Sequence, residues 1–251
     1  MREKSKQLYQ KIQNGFRQLI DSAGLDPGEI IITSQGLSTE EAIGHTDRTD
    51  FPIMTGKEVM LQAEYKGARG QAFTDAPAEF RGSLQEILKL DLINDVHARG
   101  LYIAALNAVM RYLGKIDHSV HCKDMEPSEC SEEYIEFLQQ QYGKCRLALI
   151  GYQPWLFSAI AERTDFELRV LDLNPENVGD TRFGVLVEHG IDDYDDVVLD
   201  WADLVLCTSS VFSNATMDLY IDIGKPVLFY GITGAGCIKL LGLDRHCPES
   251  A

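Results

Sequence analysis

The pattern of hydrophobic positions changes twice along the chain. Near the start, Leu8, Ile12 and Phe16 recur every four residues, which is the spacing of the buried face of an amphipathic helix. The pattern predicts a helix over about 5–22, and Gly24 is the residue expected to end it.

Short hydrophobic segments typical of β-strands follow this helix. They cover about 29–33, 41–46 and 59–65 and are separated by Gly, Pro, Asp and Thr, which favour turns. We expect the three segments to form a small antiparallel sheet.

Helical spacing returns after these strands. Residues 84–88 present one hydrophobic face, and 102–113 is rich in Ala, Leu and Met with few helix breakers. A sheet followed by helices predicts an α+β domain over 1–116. Residues 117–133 lack periodicity and are expected to link it to a second domain over 134–251.

In the second half of the chain, short hydrophobic strands alternate with helices. This alternation is typical of a mostly parallel sheet covered on both faces, so it predicts an α/β fold with three layers. The predicted strands are 146–150, 168–171, 204–207 and 227–230, with a weaker one near 184–187. The predicted helices are 155–162, 195–201, 213–221 and 238–241. Right-handed crossovers would bring the carboxyl ends of the strands to one edge, where open α/β sheets bind ligands.

Four loops are expected to meet at that edge. The first, 151–155, opens a helix whose free backbone N–H groups favour an anion. Tyr152 and Trp155 would obstruct the close approach of a pyrophosphate that a glycine-rich fingerprint allows, so NAD binding is not predicted. The alternative is a packed turn that binds nothing.

The other three loops carry carboxylate, hydroxyl and glycine residues. Asp172 and Asn174 stand where many Rossmann proteins hold a ribose hydroxyl, although both residue types also form turns. The stretch 208–216 has more hydroxyl groups than one helix cap needs, which suits a phosphate, a carboxylate or a polar ring edge. The glycine-rich stretch 231–236 either cradles an anion or only turns sharply.

The segment before the second domain offers candidate metal ligands. His118, His121 and Cys122, with Cys130 nearby, supply imidazole and thiolate donors, but their spacing matches no standard zinc site. The alternative is an exposed polar linker. No standard hydrolase, kinase or metalloprotease signature is present, so no catalytic residue is assigned.

Composition and charge narrow the classes of partner. The chain has 251 residues, of which 45% are hydrophobic and 25% charged, as is ordinary for a globular protein. Its formal net charge of −16 argues against nucleic acid and anionic membrane surfaces as partners. The scattered cysteines form no CxxC pair, and no apolar run is long enough for export or membrane insertion, so we expect reduced thiols in a cytoplasmic protein.

Short motifs in the second half, taken in order, resemble those of a known family. Gly151-Tyr-x-Pro154, the segment 172–179 and Ala202-Asp203 before a strand look like successive motifs of the DUF364 domain. The stretch 208–216, which begins Thr-Ser-Ser and contains Asn-x-Thr, looks like the next motif of that domain.

The first half is similar to DUF4213, the domain that accompanies DUF364. The similarity lies in Gly70-Gln-Ala-Phe-Thr74, in Gly82-Ser-Leu84 and in 104–108, which contains Asn107. The two resemblances together cover most of the chain.

The resemblance implies a fold and a role. It implies a domain similar to the enolase N-terminal fold, then a Rossmann-like domain, with a site at their junction. The role suggested for the family is heavy-metal chelation, or binding or processing of a chelating molecule of the pterin, flavin or siderophore type. The expected ligand is a heavy-metal ion or a nucleotide-like small molecule. The expected ligand-binding residues are Thr74, Asn107, Gly151, Tyr152, Pro154, Asp172, Asn174, Thr208, Ser209, Ser210, Asn214, Thr216 and Gly231.

Two other kinds of function stay open at this point. An enzyme, either an S-adenosylmethionine-type transferase or a condensing or hydrolysing enzyme, would use Asp172 to hold a ribose and Tyr152 as an acid or base. A non-catalytic accessory protein of metal uptake would show a stable partner and no turnover. A symmetric homodimer is the base-rate expectation for the oligomeric state.

Overall fold

The computed structural model describes residues 1–33, 36–45, 52–55, 58–124 and 126–250. These residues form a mixed α/β fold with two sheets, which confirms the predicted α/β class. One sheet is built from the first half of the chain and the other from the second half.

The first sheet is antiparallel, as predicted. Its strands are β1 (Ile30–Thr33), β2 (Val59–Tyr65), β3 (Ala68–Thr74) and β4 (Phe80–Ser83), in the order β3-β2-β1-β4. β1 and β2 confirm the predicted segments at 29–33 and 59–65. The pattern did not indicate β3, because Gly70 and Gln71 occupy buried positions in the strand and interrupt hydrophobic alternation.

The helices of the first half are α1 (Glu3–Ser22), α2 (Thr39–Ile43), α3 (Leu84–Ile87) and α4 (Val96–Tyr112), with a 3₁₀ turn at Pro52–Thr55. The prediction of a strand at 41–46 is wrong for residues 41–43, because these residues belong to α2. Ser38 Oγ accepts from the N–H of Glu41, and the Glu41 carboxylate accepts from the N–H of Ser38. Thr46 lies outside the described residues.

Helix α4 is buried around its whole circumference. Every residue from Ala98 to Met110 is buried, as expected of a helix that lies inside a core. It packs on β2 and β3 on one side, and on α7 (Ala235–Leu241) of the second half on the other. Residues on α4 can therefore act on both halves of the molecule.

A long helix begins within the segment predicted to link the two domains. Helix α5 (Glu126–Tyr142) begins inside 117–133, although the sequence there lacks helical periodicity. Pro127 stands at the second position of the helix, where its missing N–H costs nothing.

The second sheet is mostly parallel. Its strands are β5 (Arg146–Ile150), β6 (Glu167–Asp172), β7 (Thr181–Arg182), β8 (Val185–His189), β9 (Leu204–Thr208) and β10 (Val227–Tyr230). Their order is β10-β9-β5-β6-β8-β7, and β7 alone among these six runs antiparallel to its neighbour. All five predicted strands are present, and β7 was not predicted.

The helical segments of the second half are α6 (Pro154–Arg163), a π-helical segment at Asp195–Trp201, 3₁₀ turns at Ser209–Phe212 and Met217–Leu219, and α7. The α-helix predicted at 213–221 is wrong. Ala215 and Asp222 have positive φ values of 63° and 56°, which an α-helix does not tolerate, so the chain forms short turns instead.

Side chains of the first helix join it to the second half. The Arg2 guanidinium pairs with the Asp218 carboxylate at 2.5 and 2.8 Å, and Ser5 Oγ donates to the same carboxylate at 2.5 Å. The Tyr9 hydroxyl donates to the carbonyl of Phe212 at 2.5 Å. One hydrophobic cluster also contains residues of both halves. No helix within the described ranges is long and apolar enough to cross a membrane.

Candidate functional site

A cavity of about 420 Å³ lies at the carboxyl ends of β5, β6, β9 and β10. We call it the junction cavity, because residues of both halves line it. The four loops predicted to meet at this edge all contribute to it, since parallel strands bring their carboxyl ends together. The lining that bears on function is Glu58, Thr74, Asp75, His121, Cys122, Cys130, Gly151, Tyr152, Pro154, Asp172, Asn174, Thr208, Ser209, Ser210, Asn214, Thr216, Tyr230, Gly231, Thr233 and Cys247.

Most of the residues predicted to bind ligand lie in this lining. The exception is Asn107, which is fully buried in α4 and does not contact the cavity. Of the three candidate metal ligands, His121 and Cys122 line the cavity and His118 does not.

Gly151 allows two strands to approach each other closely at the cavity floor. It has a φ of +91°, and a Cβ placed there would lie 2.7 Å from Thr208 Cγ2. The Tyr230 hydroxyl lies 2.9 and 3.0 Å from the carbonyl oxygens of Ile150 and Gly151, within hydrogen-bond distance of both. These contacts fix the first loop relative to β9 and β10.

Asp172 organises the first two loops. One of its carboxylate oxygens accepts from the N–H of Tyr152 at 2.7 Å. The other accepts from the N–H of Asn174 at 2.7 Å and from Nδ2 of Asn177 at 3.3 Å. The residue therefore closes a turn and also presents negative charge to the cavity.

The hydroxyl-rich loop is held largely by its own side chains. Thr208 Oγ1 accepts from the N–H of Ser210 at 3.3 Å, and Ser213 Oγ donates to the Ser210 carbonyl at 2.8 Å. Asn214 Oδ1 accepts from the N–H of Thr216 at 3.1 Å and from its hydroxyl at 2.6 Å. Ser209 is buried and lies close to Gly231.

Asn107 fastens the glycine-rich loop to the first half. Its Nδ2 lies 2.9 Å from the carbonyl of Gln71, and 3.2 and 2.9 Å from those of Ile232 and Thr233. Its Oδ1 accepts from the N–H of Gly236 at 2.8 Å. The family resemblance implied a ligand contact for Asn107, whereas its amide satisfies backbone groups of three segments.

A second wall of the junction cavity carries imidazole and thiol groups. Burial lowers the pKa of His121, and it raises the pKa of Cys122 well above its usual range. Burial, with the nearby Cys247, raises the pKa of Cys130 to about 12. These groups are therefore neutral near pH 7.

The candidate metal ligands do not converge. His118 has a positive φ of 50°, and its ring contacts the carbonyl of Ser250. His121 Nδ1 lies 2.5 Å from the carbonyl of Cys122, next to it in the chain. Across the described part of the chain, no three His, Cys, Asp or Glu side chains are grouped so that they could hold a metal ion.

Two carboxylates that the sequence did not single out also line the junction cavity. Glu58 precedes β2 and Asp75 follows β3, so both come from the first half of the chain. Burial, together with the negative charges of Asp172 and Asp75, raises the pKa of Glu58 to about 7. The three carboxylates are therefore close enough to interact.

A solved structure shares this fold. A protein of unknown function from the DUF364 family of Pyrococcus horikoshii matches with a TM-score of 0.54 at 18% sequence identity, over 91% of this chain and 80% of that chain. The chain therefore has the fold of a DUF364-family protein. A DUF364-family protein of unknown function from Desulfitobacterium hafniense DCB-2 gives a TM-score of 0.48 at 14% identity, over 73% of this chain and 72% of that one. No protein-family profile and no curated protein matches the sequence.

The raised pKa of Glu58 predicts a pH-dependent cost to stability at the site. The folded-state pKa of about 7 exceeds the ordinary value of 4.5. In the pH window between these two values, Glu58 is protonated in the folded protein and ionised in the unfolded chain. Stability is then greatest below the window and falls as pH rises through it. We expect Glu58→Gln to raise the free energy of unfolding by about 2–3 kcal/mol at about pH 8 and by much less at about pH 5.

Urea unfolding at both pH values measures this difference. Glu79→Gln is the matched control, because Glu79 is exposed, lies outside the cavity lining and loses the same charge. An equal effect of Glu58→Gln at the two pH values would show that Glu58 does not titrate in this window.

Proposed function

We propose that this protein binds a small organic molecule in the junction cavity. The convergence of all four loops of the second sheet with Thr74 and Asp75 of the first half carries this proposal. A volume of about 420 Å³ falls within the range of about 300–1,000 Å³ that small-molecule sites occupy. An apolar wall with a few grouped polar residues is also typical of such sites.

The family resemblance suggests a chelating molecule of the pterin, flavin or siderophore type. Its aromatic or conjugated part would lie along Phe73, Tyr134 and Tyr152, which line the cavity. In this proposal, a heavy metal enters with the organic ligand, since the described donors do not converge on one point. The thiols of Cys122 and Cys130 are close enough to the cavity to complete such a complex.

We also propose a fold type for each of the two domains. The order of the parallel strands, with β5 between β6 and β9, supports a Rossmann-like second domain over 134–251. A first domain over 1–116 with an enolase N-terminal-like fold stays a proposal from the resemblance. The six free cysteines support a reducing compartment such as the cytoplasm.

Blocking the cavity tests the proposal. Ser210 lines the cavity and is only partly buried, so we expect the larger side chain of Ser210→Phe to be tolerated and to occupy ligand space. Native mass spectrometry of untagged protein should show a retained small molecule in the wild type and its loss in Ser210→Phe.

The matched control is Ser22→Phe, at an exposed position near the end of α1. It should retain the molecule as the wild type does. Equal retention by both variants would place the ligand elsewhere, and no retained molecule in any of the three proteins would contradict the proposal.

An enzyme is the second candidate function, and Glu58 favours it. A carboxyl group whose pKa is about 7 exchanges protons readily near neutral pH, as a general acid or base must. We expect the retained molecule, added in excess, to change mass over time with the wild type and not with Glu58→Gln. Unchanged mass with both would leave binding as the function.

A further inference from the structure

The junction cavity offers few free donors for an anion at its first loop. The N–H of Tyr152 donates to the Asp172 carboxylate at 2.7 Å, and the N–H of Leu156 donates to Oε1 of Gln153 at 2.6 Å. Gln153 is the N-cap of α6. The loop that the sequence suggested as an anion site therefore uses its own side chains to satisfy these N–H groups.

One backbone N–H in each of the third and fourth loops also has an internal acceptor. The N–H of Ser210 donates to Thr208 Oγ1 at 3.3 Å, and the N–H of Gly236 donates to Asn107 Oδ1 at 2.8 Å. A phosphate or carboxylate placed there would compete with these internal acceptors.

The charge of the lining also opposes an anion. Glu58, Asp75 and Asp172 line the cavity, and its described lining contains no Lys or Arg. An anion would lose its hydration and gain no opposite charge, while the three carboxylates repelled it. The same carboxylates would attract a cation, because a cleft lined by charges of one sign attracts ligands of the opposite sign.

We propose that the junction cavity selects a ligand bearing a cationic or N–H-rich group, such as an amidine or the aminopyrimidine edge of a heterocycle, and disfavours anionic ligands. The group would lie between Glu58 and Asp172, donating N–H hydrogen bonds to their carboxylates. Paired N–H donors suit this position because a carboxylate accepts two parallel hydrogen bonds. The inference rests on the proposed function and names the ligand class for the same cavity.

The rest of the cavity suits a flat, apolar ligand body. Tyr134 and Phe73 line it, and the shifted pKa values of His121, Cys122 and Cys130 keep these three groups neutral near pH 7. The carboxylates therefore provide the charge that distinguishes one ligand from another. Ligands of equal shape and different charge should separate by affinity.

Three probes of matched shape test the inference. 2-Naphthamidine, 2-naphthamide and 2-naphthoate carry a cationic, a neutral and an anionic group on one bicyclic ring system. Isothermal titration calorimetry with the full chain at about pH 8, where Glu58 is largely ionised, should give the lowest Kd for the amidine and the highest for the naphthoate. We expect at least about a tenfold difference between amidine and amide.

The Glu58→Gln variant shows whether the carboxylate causes the difference. It should raise the Kd of the amidine much more than the Kd of the amide, so that the two values approach each other. Glu79→Gln, which removes the same charge outside the cavity, should keep the wild-type ratio.

The outcomes separate this inference from the proposed function. Equal affinity for the three probes, tighter binding of the naphthoate, or an amidine preference that survives Glu58→Gln would overturn the inference alone. Absence of binding by all three would also overturn it, whereas the retained-molecule experiment decides whether the cavity is a binding site. Retention of an anionic molecule there would support the proposed function and contradict the inference.

Discussion

Replacing Asn107 with alanine is expected to lower the free energy of unfolding by about 3–5 kcal/mol. The substitution removes the donor to the carbonyls of Gln71, Ile232 and Thr233 and the acceptor for the N–H of Gly236. Asn107 is fully buried, so water cannot replace these contacts without entering the core. Urea unfolding followed by circular dichroism measures the loss.

Two further variants define the cause. Asn107→Asp keeps an acceptor for Gly236 but faces three carbonyl oxygens with a carboxylate, so we expect it to be at least as destabilising as alanine. Asn14→Ala is the control, since Asn14 is exposed on α1, and it should change stability by less than about 0.5 kcal/mol. A loss below about 1 kcal/mol for Asn107→Ala would show that these hydrogen bonds contribute little.

The same substitution should also affect the junction cavity. Asn107 holds the loop that contains Gly231 and Thr233, and both residues line the cavity. The loop is also fixed by Thr233 Oγ1, which accepts from the N–H of Phe73 at 3.0 Å. A residue that does not line the cavity therefore positions one of its loops.

The edge of the second sheet could be predicted from the sequence because its determinants are local. Each parallel strand is a short apolar segment followed by a polar loop, and the right-handed crossover rule places those loops together. Thr208, Asp172 and Gly231 lie in the cavity lining for this reason. The contacts of these side chains could not be predicted in the same way. The side-chain oxygens of Thr208 and Asp172 accept hydrogen bonds from backbone N–H groups of their own loops.

The carboxylates of the first half could not be predicted in the same way. Glu58 and Asp75 flank β2 and β3, and nothing in their local sequence distinguishes them from the acidic residues of the protein surface. They reach the cavity because α4 packs between the first sheet and α7, a relation set by tertiary contacts. His121 shows the same dependence, because its N–H donates at 2.8 Å to Oε1 of Gln71 on β3.

Backbone conformation explains other differences between the predicted and observed elements. The segment 213–221 has helix-like hydrophobic spacing, but Asn214 accepts from Thr216 and closes a turn where Ala215 has a positive φ. Side-chain hydrogen bonds of this kind compete with helix formation. The capped α2 helix at Thr39–Ile43 is the reverse case, where a capping box directs a short segment into a helix.

Replacing Gly70 with alanine is expected to destabilise the protein by at least about 3 kcal/mol. A Cβ at this position of β3 would lie 2.2 Å from the N of Ala108 and 2.6 Å from the carbonyl oxygen of Ala104. Both contacts are with the backbone of α4, so no change of side-chain rotamer relieves them. The helix would have to move away from the sheet, and its contacts with the second half would move too.

Gly28→Ala is the matched control for Gly70→Ala. A Cβ at Gly28 meets first the Asp26 carboxylate, at 3.2 Å, and Gly28 is exposed, so we expect a change in stability within about 0.5 kcal/mol. Urea unfolding of both variants gives the comparison. A Gly70→Ala variant as stable as the wild type would show that α4 can move away from β3 without lowering the free energy of unfolding. The close packing of the helix on the sheet would then not be needed for stability.

The same substitution is expected to affect the junction cavity. Because α4 also carries Asn107, we expect the loss of stability in Gly70→Ala to be accompanied by weaker retention of the ligand.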